Sequence, residues 1–280
     1  MTSRLPYVLI FLALSVSGFS QTDILVKNQT GASVQSSLDL DITEGGSVYV
    51  VGSTFGQATF GNGVSVTGLG YDMYLVKYNG QGLAQWAQRG GSTSWADKGA
   101  SVDVGPYGEL YVGGHIFGAA TFGNLNITAD AQRDAYVAKY DTNGTAMWVE
   151  KQATDGQASV LDLVSDGGGR VYVLSHFIDT LSVDTFTFNG AAAAAYSYCV
   201  AKYDSSGAVL WAKEAVTSNS YGGPSINVLY RGYGGIDLDS AGDVIVTGSF
   251  VGSVTINAVS ENSTSWWDYD MFLAKLDGAD

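Results

Sequence analysis

Residues 46–87 read GSVYVVGSTFGQATFGNGVSVTGLGYDMYLVKYNGQGLAQWA, and the pattern of this stretch returns three more times along the chain. It opens with an apolar run after a glycine pair, and we call that run the first marker. Its copies start about 62 residues apart, with a longer step before the fourth. The four copies of the first marker are Val48–Gly52, Leu110–Gly114, Val171–Ser175 and Val244–Gly248.

A second marker keeps nearly the same spacing. DMYLVKYNGQG at 72–82 returns as DAYVAKYDTNG at 134–144, SYCVAKYDSSG at 197–207 and DMFLAKLDGAD at 270–280. Between the two markers lies a TFG segment, clearest as QATFGN at 57–62 and AATFGN at 119–124. A tryptophan follows three of the second markers, as Trp86, Trp148 and Trp211. Two independent markers with one spacing exclude chance and predict four copies of one structural unit.

Each unit contains four strand-like stretches separated by glycine turns. They are a segment before the first marker (such as 100–104), the first marker, the TFG segment and the lysine segment, while the tryptophan segment leads into the next unit. No part of the chain beyond the N-terminus keeps a helical period. Strands that are apolar on both faces suit a sheet packed between neighbours. The sequence therefore predicts an all-β fold, a β-propeller of four four-stranded repeats, in preference to a β-helix, whose repeat is shorter.

The two ends of the chain bear on whether this propeller closes. Ile24-Leu25-Val26-Lys27 occupies the position of a tryptophan strand, and the last unit stops at Asp280 before its own tryptophan. An N-terminal strand that completes the last blade would leave no free edge. The prediction is thus a closed four-bladed ring, and the alternative is an incomplete arc of a larger propeller.

The composition excludes several classes of protein. The chain has 280 residues, 27 of them acidic and 13 basic, with 46% apolar residues and 14% charged residues. Disorder needs lower hydrophobicity and more charge. Nucleic-acid binding needs clustered lysine and arginine, which a net charge of −14 argues against. We therefore expect a folded protein with no nucleic-acid partner.

The N-terminal segment predicts export. Arg4 precedes an apolar run from Leu5 to Val16 that is short for a membrane span, and small residues follow it. We interpret residues 1–20 as a signal peptide and residues 21–280 as one β-propeller domain, with a retained membrane anchor as the alternative. Cys199 is the single cysteine, so no intramolecular disulfide is expected. The predicted location is secreted, periplasmic or at the cell surface, with no membrane span after removal of the signal.

The repeated unit resembles the SBBP-type β-propeller repeats of exported bacterial proteins. The motifs that carry the resemblance are the Val-Tyr-Val-x-Gly strand, the Asp-x-Tyr/Phe-x-x-Lys strand and the Trp-Ala strand, over residues 24–280. Ser197 and Ser175 depart from the pattern, and the last tryptophan is missing. The resemblance implies a propeller at the cell envelope or outside the cell, and it implies no catalytic residues.

Three sets of polar residues invite a functional interpretation. The repeated lysines could line a channel, but lysine stems on apolar surface with heads paired to aspartates explain them better. His115 and His176 align with Ser53 and Ser249, and two histidines alone do not make a zinc site. The DLDSAGD segment at 237–243 reads as an ordinary turn with possible weak calcium binding. We expect neither a metal nor another cofactor. The repeated lysines are Lys77, Lys139, Lys202 and Lys275.

Aromatic residues outside the repeated tryptophan position predict a binding face. They lie in loop-like segments rich in Ser, Thr, Gly and Asn, a setting suited to stacking on sugars or contacting a protein. The sequence favours a non-catalytic scaffold that binds glycan or protein. The alternatives are a hydrolase or lyase acting on extracellular polysaccharide through polar residues at the axis, and a purely structural spacer. The predicted binding residues are Trp95, Tyr221, Tyr230, Tyr233, Trp266 and Trp267.

Overall fold

The computed structural model describes residues 9–11, 25–27, 34–93, 96–130, 133–190, 196–218, 234–263 and 270–279. The regular secondary structure of these residues is entirely β-strand, which confirms the all-β prediction. In chain order the strands of the N-terminal half are β1 (Leu9–Phe11), β2 (Leu25–Lys27), β3 (Gln35–Ile42), β4 (Val48–Gly61), β5 (Val64–Tyr78), β6 (Ala84–Gly91), β7 (Lys98–Val104), β8 (Leu110–Ile116), β9 (Ala119–Phe122), β10 (Leu125–Thr128), β11 (Asp134–Tyr140) and β12 (Ala146–Thr154). Those of the C-terminal half are β13 (Gln157–Ser165), β14 (Val171–Ile178), β15 (Thr180–Val183), β16 (Phe186–Asn189), β17 (Ser197–Tyr203), β18 (Val209–Ser218), β19 (Gly234–Leu238), β20 (Val244–Phe250), β21 (Ser253–Ile256), β22 (Val259–Asn262) and β23 (Asp270–Leu276).

Each repeat builds an antiparallel meander. The first sheet contains β3-β4-β5-β6, the second β7-β8-β11-β12, the third β13-β14-β17-β18, and the fourth β19-β20-β23. The first marker forms the second strand of each meander, the lysine segment the third, and the tryptophan segment the fourth. The register places the repeated lysine of each of the first three units opposite the tryptophan of its own unit, as in the pair Lys139 and Trp148. Separately, β1 pairs with β2.

In the second, third and fourth units the TFG segment forms a hairpin that belongs to the preceding sheet, whereas in the first unit residues 57–61 continue β4 and pair with β5. Hairpin β9-β10 extends the first sheet beyond β6, β15-β16 extends the second beyond β12, and β21-β22 extends the third beyond β18. The first three sheets therefore have six strands. This differs from the strand assignment made from sequence, because the tryptophan strand stays with its own unit and the TFG hairpin leaves it.

The four sheets pack face to face in chain order. Their first strands, β3, β7, β13 and β19, contact one another in succession, and we call these the inner strands. Buried side chains of adjacent sheets share one apolar core, as where Val51 and Met73 of the first sheet meet Val112 and Tyr136 of the second. Equivalent cores join the second sheet to the third and the third to the fourth. The arrangement is propeller-like, and no described strand joins the fourth sheet to the first.

The glycine that ends the first marker is required by close backbone approach. A Cβ atom at Gly52 would collide with the carbonyl oxygen of Ser36, and one at Gly114 with that of Lys98. Both glycines lie beside a bulge in the inner strand, where the register shifts after Ser37 in β3 and after Gly99 in β7. The third unit has an equivalent shift after Val160 and carries Ser175 there, so the close approach is a feature of the first two units.

Carboxylates on the inner strands link successive sheets. The Asp39 carboxylate accepts a hydrogen bond from the backbone N–H of Val102 at 2.9 Å. Asp103 accepts one from the N–H of Ser165 at 2.9 Å, and Asp162 accepts one from the N–H of Ile236 at 3.0 Å. The same device therefore joins the first sheet to the second, the second to the third and the third to the fourth. These links use part of the acidic excess for structure.

Candidate functional site

The repeated lysines hold the framework together. Lys139 is buried, lies 3.6 Å from the Glu109 carboxylate, and packs over the ring of Tyr111 at 5.0 Å from the centroid. Its Nζ donates to the carbonyl of Ser205 in the third sheet at 3.1 Å. Lys202 similarly donates to the carbonyl of Gly278 at 2.8 Å. Lys139 and Lys202 thus each join their own sheet to the next one, which supports the structural interpretation over a cationic channel.

The DLDSAGD segment is a turn. The Asp239 carboxylate accepts backbone hydrogen bonds from Ala241 and Asp243 at 2.8 and 3.0 Å. Lys275 lies 2.6 Å from Asp239 and 2.8 Å from Asp243, so it occupies the carboxylates that calcium would need. Across the described residues, no group of three or more His, Cys, Asp or Glu side chains is arranged to hold a metal ion.

The two ends of the sheets differ in what they carry. At one end, which we call the turn end, tight turns follow the inner strands and the lysine strands. At the other, the histidine end, the inner strands begin and the second strands finish: Lys98 pairs with His115 there, and Gly234 pairs with Gly248. At the turn end the units remain alike, because Asn79, Asp141 and Asp204 each close an equivalent turn by accepting two backbone N–H groups.

The six predicted binding aromatics all lie outside the described residues, so their placement stays a prediction. The described residues that flank them lie at the histidine end. Thr93 follows β6, β19 begins at Gly234, and β23 begins at Asp270 opposite Phe250, where β20 ends. The predicted residues are Trp95, Tyr221, Tyr230, Tyr233, Trp266 and Trp267.

The described residues place a polar cluster at this same end, between the second and third sheets. His115 on β8 and Ser159 on β13 meet across the gap, with 2.9 Å between imidazole Nδ1 and the hydroxyl oxygen. His176 on β14 lies directly opposite Ser159 in the strand ladder. Lys98 and Arg133 act electrostatically on both histidines. These five residues are the histidine cluster.

Burial and positive charge keep the two histidines neutral. His115 and His176 are 8% and 5% exposed. Burial, followed by the charges of Arg133 and Lys98, lowers the pKa of His176 to about 3. The same causes hold the pKa of His115 well below its usual value. Basic groups alone supply the charge interactions that shift these two pKa values, so the cluster is locally electropositive in an acidic protein.

Several buried nitrogens of the cluster lack hydrogen-bond partners in the described structure. They are Nε and Nη2 of Arg133 and both ring nitrogens of His176. The backbone of Arg133 is fixed, since its carbonyl accepts the N–H of Ala158 at 2.8 Å. The His176 ring lies 4.4 Å from the ring of Tyr196, centroid to centroid. Unsatisfied buried donors are costly, and a guanidinium costs most.

The cluster breaks the repeat. In the first unit the equivalent of the Lys98 and His115 pair is Ser36 and Ser53, whose hydroxyls lie 3.0 Å apart. The position of Arg133, just before the strand-opening aspartate, is tyrosine in the other three units. Sequence reasoning singled out the histidines but missed Lys98, Arg133 and Ser159. Only the departure of these positions from the repeat could have indicated them.

The histidine cluster contains one element that a serine hydrolase requires, a serine hydroxyl in contact with an imidazole. Ser159 and His115 make a nucleophile–base contact, but the backbone carbonyl of Ala96 is the further hydrogen-bond partner of His115. A carboxylate normally orients such an imidazole. The other candidate nucleophile, Cys199, is buried, and burial raises the pKa of its thiol. Within the described residues the cluster is better suited to binding than to proton transfer.

The strand-opening aspartates cap turns and pair with other basic residues. Asp72 accepts the N–H of Leu69 at 2.6 Å and pairs with Arg89 at 2.6 Å. Asp134 accepts the N–H of Asp130 at 2.9 Å. They do not pair with the repeated lysines in the contacts that the described residues make, so the lysines and aspartates of the second marker have separate roles.

One comparison with known proteins bears on the fold. No model of a known protein family matches the chain. A stretch of 112 residues is 28% identical to an uncharacterized WD repeat-containing protein of Acanthamoeba polyphaga mimivirus. The similarity covers 37% of this chain and 8% of that protein. Since WD repeats form propeller blades, it agrees with the propeller-like arrangement of sheets. The described residues contain no helix long and apolar enough to cross a bilayer.

Proposed function

We propose that this protein is a non-catalytic interaction scaffold that binds its partner at the histidine end. The observation that carries the proposal is where the repeat is broken. Aspartate or asparagine turns and carboxylate links between sheets recur along the chain, whereas the serine pair of the first unit is replaced by Lys98 with His115 and by Ser159 with His176. A scaffold keeps its framework regular and varies the residues that meet a ligand.

The finer parts of the proposal come from the sequence. The signal-like residues 1–20 and the resemblance to SBBP-type repeats support an exported protein at the bacterial cell envelope or outside the cell. The similarity to a WD repeat-containing protein supports a protein partner. The loop aromatics favour glycan as a second candidate, because sugar rings stack on exposed tryptophan.

The test is a photo-crosslinking comparison of the two ends. A photoreactive amino acid is introduced at Thr93, exposed at the histidine end, or at Tyr107, which is 77% exposed at the turn end. Each variant of residues 21–280 is incubated with the cell-envelope and extracellular fractions of its source and irradiated. We expect one adduct of defined mass, identified by mass spectrometry, from Thr93 only. Equal labelling at both positions, or no adduct at Thr93, would contradict the proposal and favour a structural spacer.

The glycan alternative has its own variants. Binding of the wild type to a glycan array is compared with that of the Trp266→Ala/Trp267→Ala double variant, with Tyr107→Ala as the matched aromatic control. If glycan is the partner, we expect binding by the wild type and the control and at least a 10-fold loss in the double variant. Equal binding by all three would discard the named tryptophans, and release of sugar products by the wild type would favour the hydrolase alternative.

A further inference from the structure

We propose that the histidine cluster is a binding site for a single oxyanion group, a carboxylate, sulfate or phosphate, carried by the partner. The inference deepens the proposed function and rests on it for the place of the ligand. It starts from Arg133, whose guanidinium carries two buried nitrogens without a partner in the described structure. These two, Nε and Nη2, form one edge of the guanidinium plane. That edge presents two parallel N–H donors, which match two oxygens of one oxyanion.

His176 supplies the second, independent observation. Its side chain is 5% exposed, neither ring nitrogen has a partner, and Arg133 and Lys98 both act on it electrostatically. A neutral imidazole can turn one N–H toward an anion without bringing a charge of its own. Arg133 and His176 therefore both carry unsatisfied buried nitrogens beside the start of β13, between the second and third sheets.

The electrostatics of the cluster favour an anion over a cation. Lys98 and Arg133 act electrostatically on both histidines, and Asp97, the neighbour of Lys98 in the chain, is already held by Ser92 and Phe117. A cation would meet two like charges. An oxyanion would pair the guanidinium and satisfy the imidazole, which removes the cost of leaving both buried and unpaired.

The local field matters because the protein as a whole repels anions. With a net charge of −14, long-range attraction cannot gather anions at the surface, so affinity has to come from contact inside the cluster. Binding should therefore discriminate by shape. A group with two or more oxygens can engage the guanidinium edge, and chloride cannot.

Proton linkage gives an additional readout. The buried neutral histidines face Lys98 from β7, Arg133 from the segment before β11, and the ring of Tyr196 from the segment before β17. A bound anion raises the pKa of both imidazoles, because it favours their charged form. We therefore expect anion binding to tighten, with uptake of protons, as the pH falls toward the raised pKa values of the two imidazoles.

The experiment uses NMR of the histidine rings, which is direct because the chain has only 2 histidines. Residues 21–280, labelled with ¹⁵N, are titrated at constant ionic strength with acetate, sulfate, inorganic phosphate, glucuronate or chloride. We expect saturable shifts of both rings with at least one oxyanion and none with chloride. Glucuronate and acetate test acidic-sugar and protein-like carboxylates, while sulfate and phosphate test modified sugars and phosphorylated partners.

The variants separate a site from a general salt effect. Arg133→Leu removes the guanidinium, and Arg133→Lys keeps the charge without the two-donor edge. We expect at least a 10-fold rise in Kd for both, while Arg170→Leu, at the exposed turn end, leaves Kd unchanged. Shifts that are linear in concentration and equal in all variants indicate an adventitious ion only and overturn the proposal. Arg133→Leu binding as the wild type does also overturns it.

The outcomes are distinguishable from those of the proposed function. Loss of anion binding with a persistent Thr93 adduct overturns the oxyanion site and leaves the scaffold in place. If anions bind but no Thr93 adduct forms, the oxyanion site is supported. The proposal that the partner binds at the histidine end is then contradicted. Where Arg133→Leu fails to fold, Arg133→Lys decides, because retention of charge keeps the fold while the loss of shape selectivity remains measurable.

Discussion

Strands β11 and β23 carry nearly the same motif and have different surroundings. DAYVAKY at 134–140 is buried along its whole length, whereas in DMFLAKL at 270–276 the side chains of Met271 and Leu273 are 71% and 70% exposed. β11 pairs on both sides, with β8 and β12, and β23 pairs with β20. The motif specifies a strand and its register, but the neighbouring strands and sheets decide whether that strand becomes core.

The repeated lysine shows the same contrast. Lys139 is 6% exposed and lies between Glu109, the Tyr111 ring and the third sheet. Lys275 keeps a carboxylate pair, but its side chain is 55% exposed. A residue conserved within the repeat therefore has a structural role that depends on the sheet that follows it. Three predictions test this contrast.

The largest effect is expected from a charge in the middle of each strand. Val137→Asp places a carboxylate at a fully buried position, and we expect it to lower the free energy of unfolding by about 4 kcal/mol, because a buried unpaired charge is strongly unfavourable. Leu273→Asp, at the equivalent exposed position, should be near neutral. Urea unfolding followed by tryptophan fluorescence measures both.

A large loss of unfolding free energy in Leu273→Asp would contradict the difference in burial between β11 and β23. It would mean that the edge of β23 is covered in the folded protein, which the closed ring predicts if Ile24–Lys27 completes the fourth sheet. Double variants with a charge at Val26 would then show whether that strand is the cover, because two positions in contact are not additive.

The second prediction concerns the lysines. Lys139→Met removes the cation beside buried Glu109 and the hydrogen bond to the Ser205 carbonyl. We expect the free energy of unfolding to fall by about 2 kcal/mol, because the Glu109 carboxylate is left buried without its cation. Lys275→Met replaces a solvent-exposed lysine by a side chain of similar volume and should lower the free energy of unfolding much less. Thermal unfolding at equal protein concentration compares them. Equal losses would show that the third sheet contributes nothing to the role of Lys139.

The smallest effect is a pH dependence of the inner strands. Burial raises the pKa of Asp103 from its ordinary value of 3.8 to about 6, so the folded protein binds this proton more tightly than the unfolded chain. Stability from this group therefore rises as the pH falls from 7 toward 5. We expect the wild type to gain about 1 kcal/mol over that range relative to Asp103→Asn.

The matched control for Asp103 lies in the fourth sheet. Asp237 on β19 stands opposite Ile245, as Asp103 stands opposite Tyr111, but it is exposed. Urea unfolding at pH 5, 6 and 7 is compared for the wild type, Asp103→Asn and Asp237→Asn. Parallel curves for the wild type and Asp103→Asn would show that the inner-strand carboxylates do not titrate with folding.

Much of the fold was predictable from the repeat. The spacing of the markers predicted four units, and the two-sided apolar strands predicted sheets packed between neighbours. The docking of the TFG hairpins on the preceding sheet was not predictable from the same signals. TFG has the apolar content of a strand, and only the ladder between Gly90 and Phe122 places it on the preceding sheet. Local patterns specify strands well, but they do not specify which strand pairs with which.

The site was less accessible to sequence reasoning. His115 and His176 stand out because the chain has only 2 histidines, yet two histidines alone do not indicate a zinc site. Lys98, Arg133 and Ser159 look ordinary in sequence. Their meaning comes from packing the second sheet against the third, which brings together side chains far apart in the chain. The predicted aromatic residues of the loops remain predictions.

By itself the sequence determined the all-β class, the number of units and the turns, because these depend on residues close in the chain. The tertiary structure alone decided which copies of a motif are buried, where the TFG hairpins dock, and that two histidines, a serine and two cations share one gap. Those outcomes depend on contacts between units, and burial changes both the energy of a charge and the pKa of a histidine without changing a single letter of the repeat.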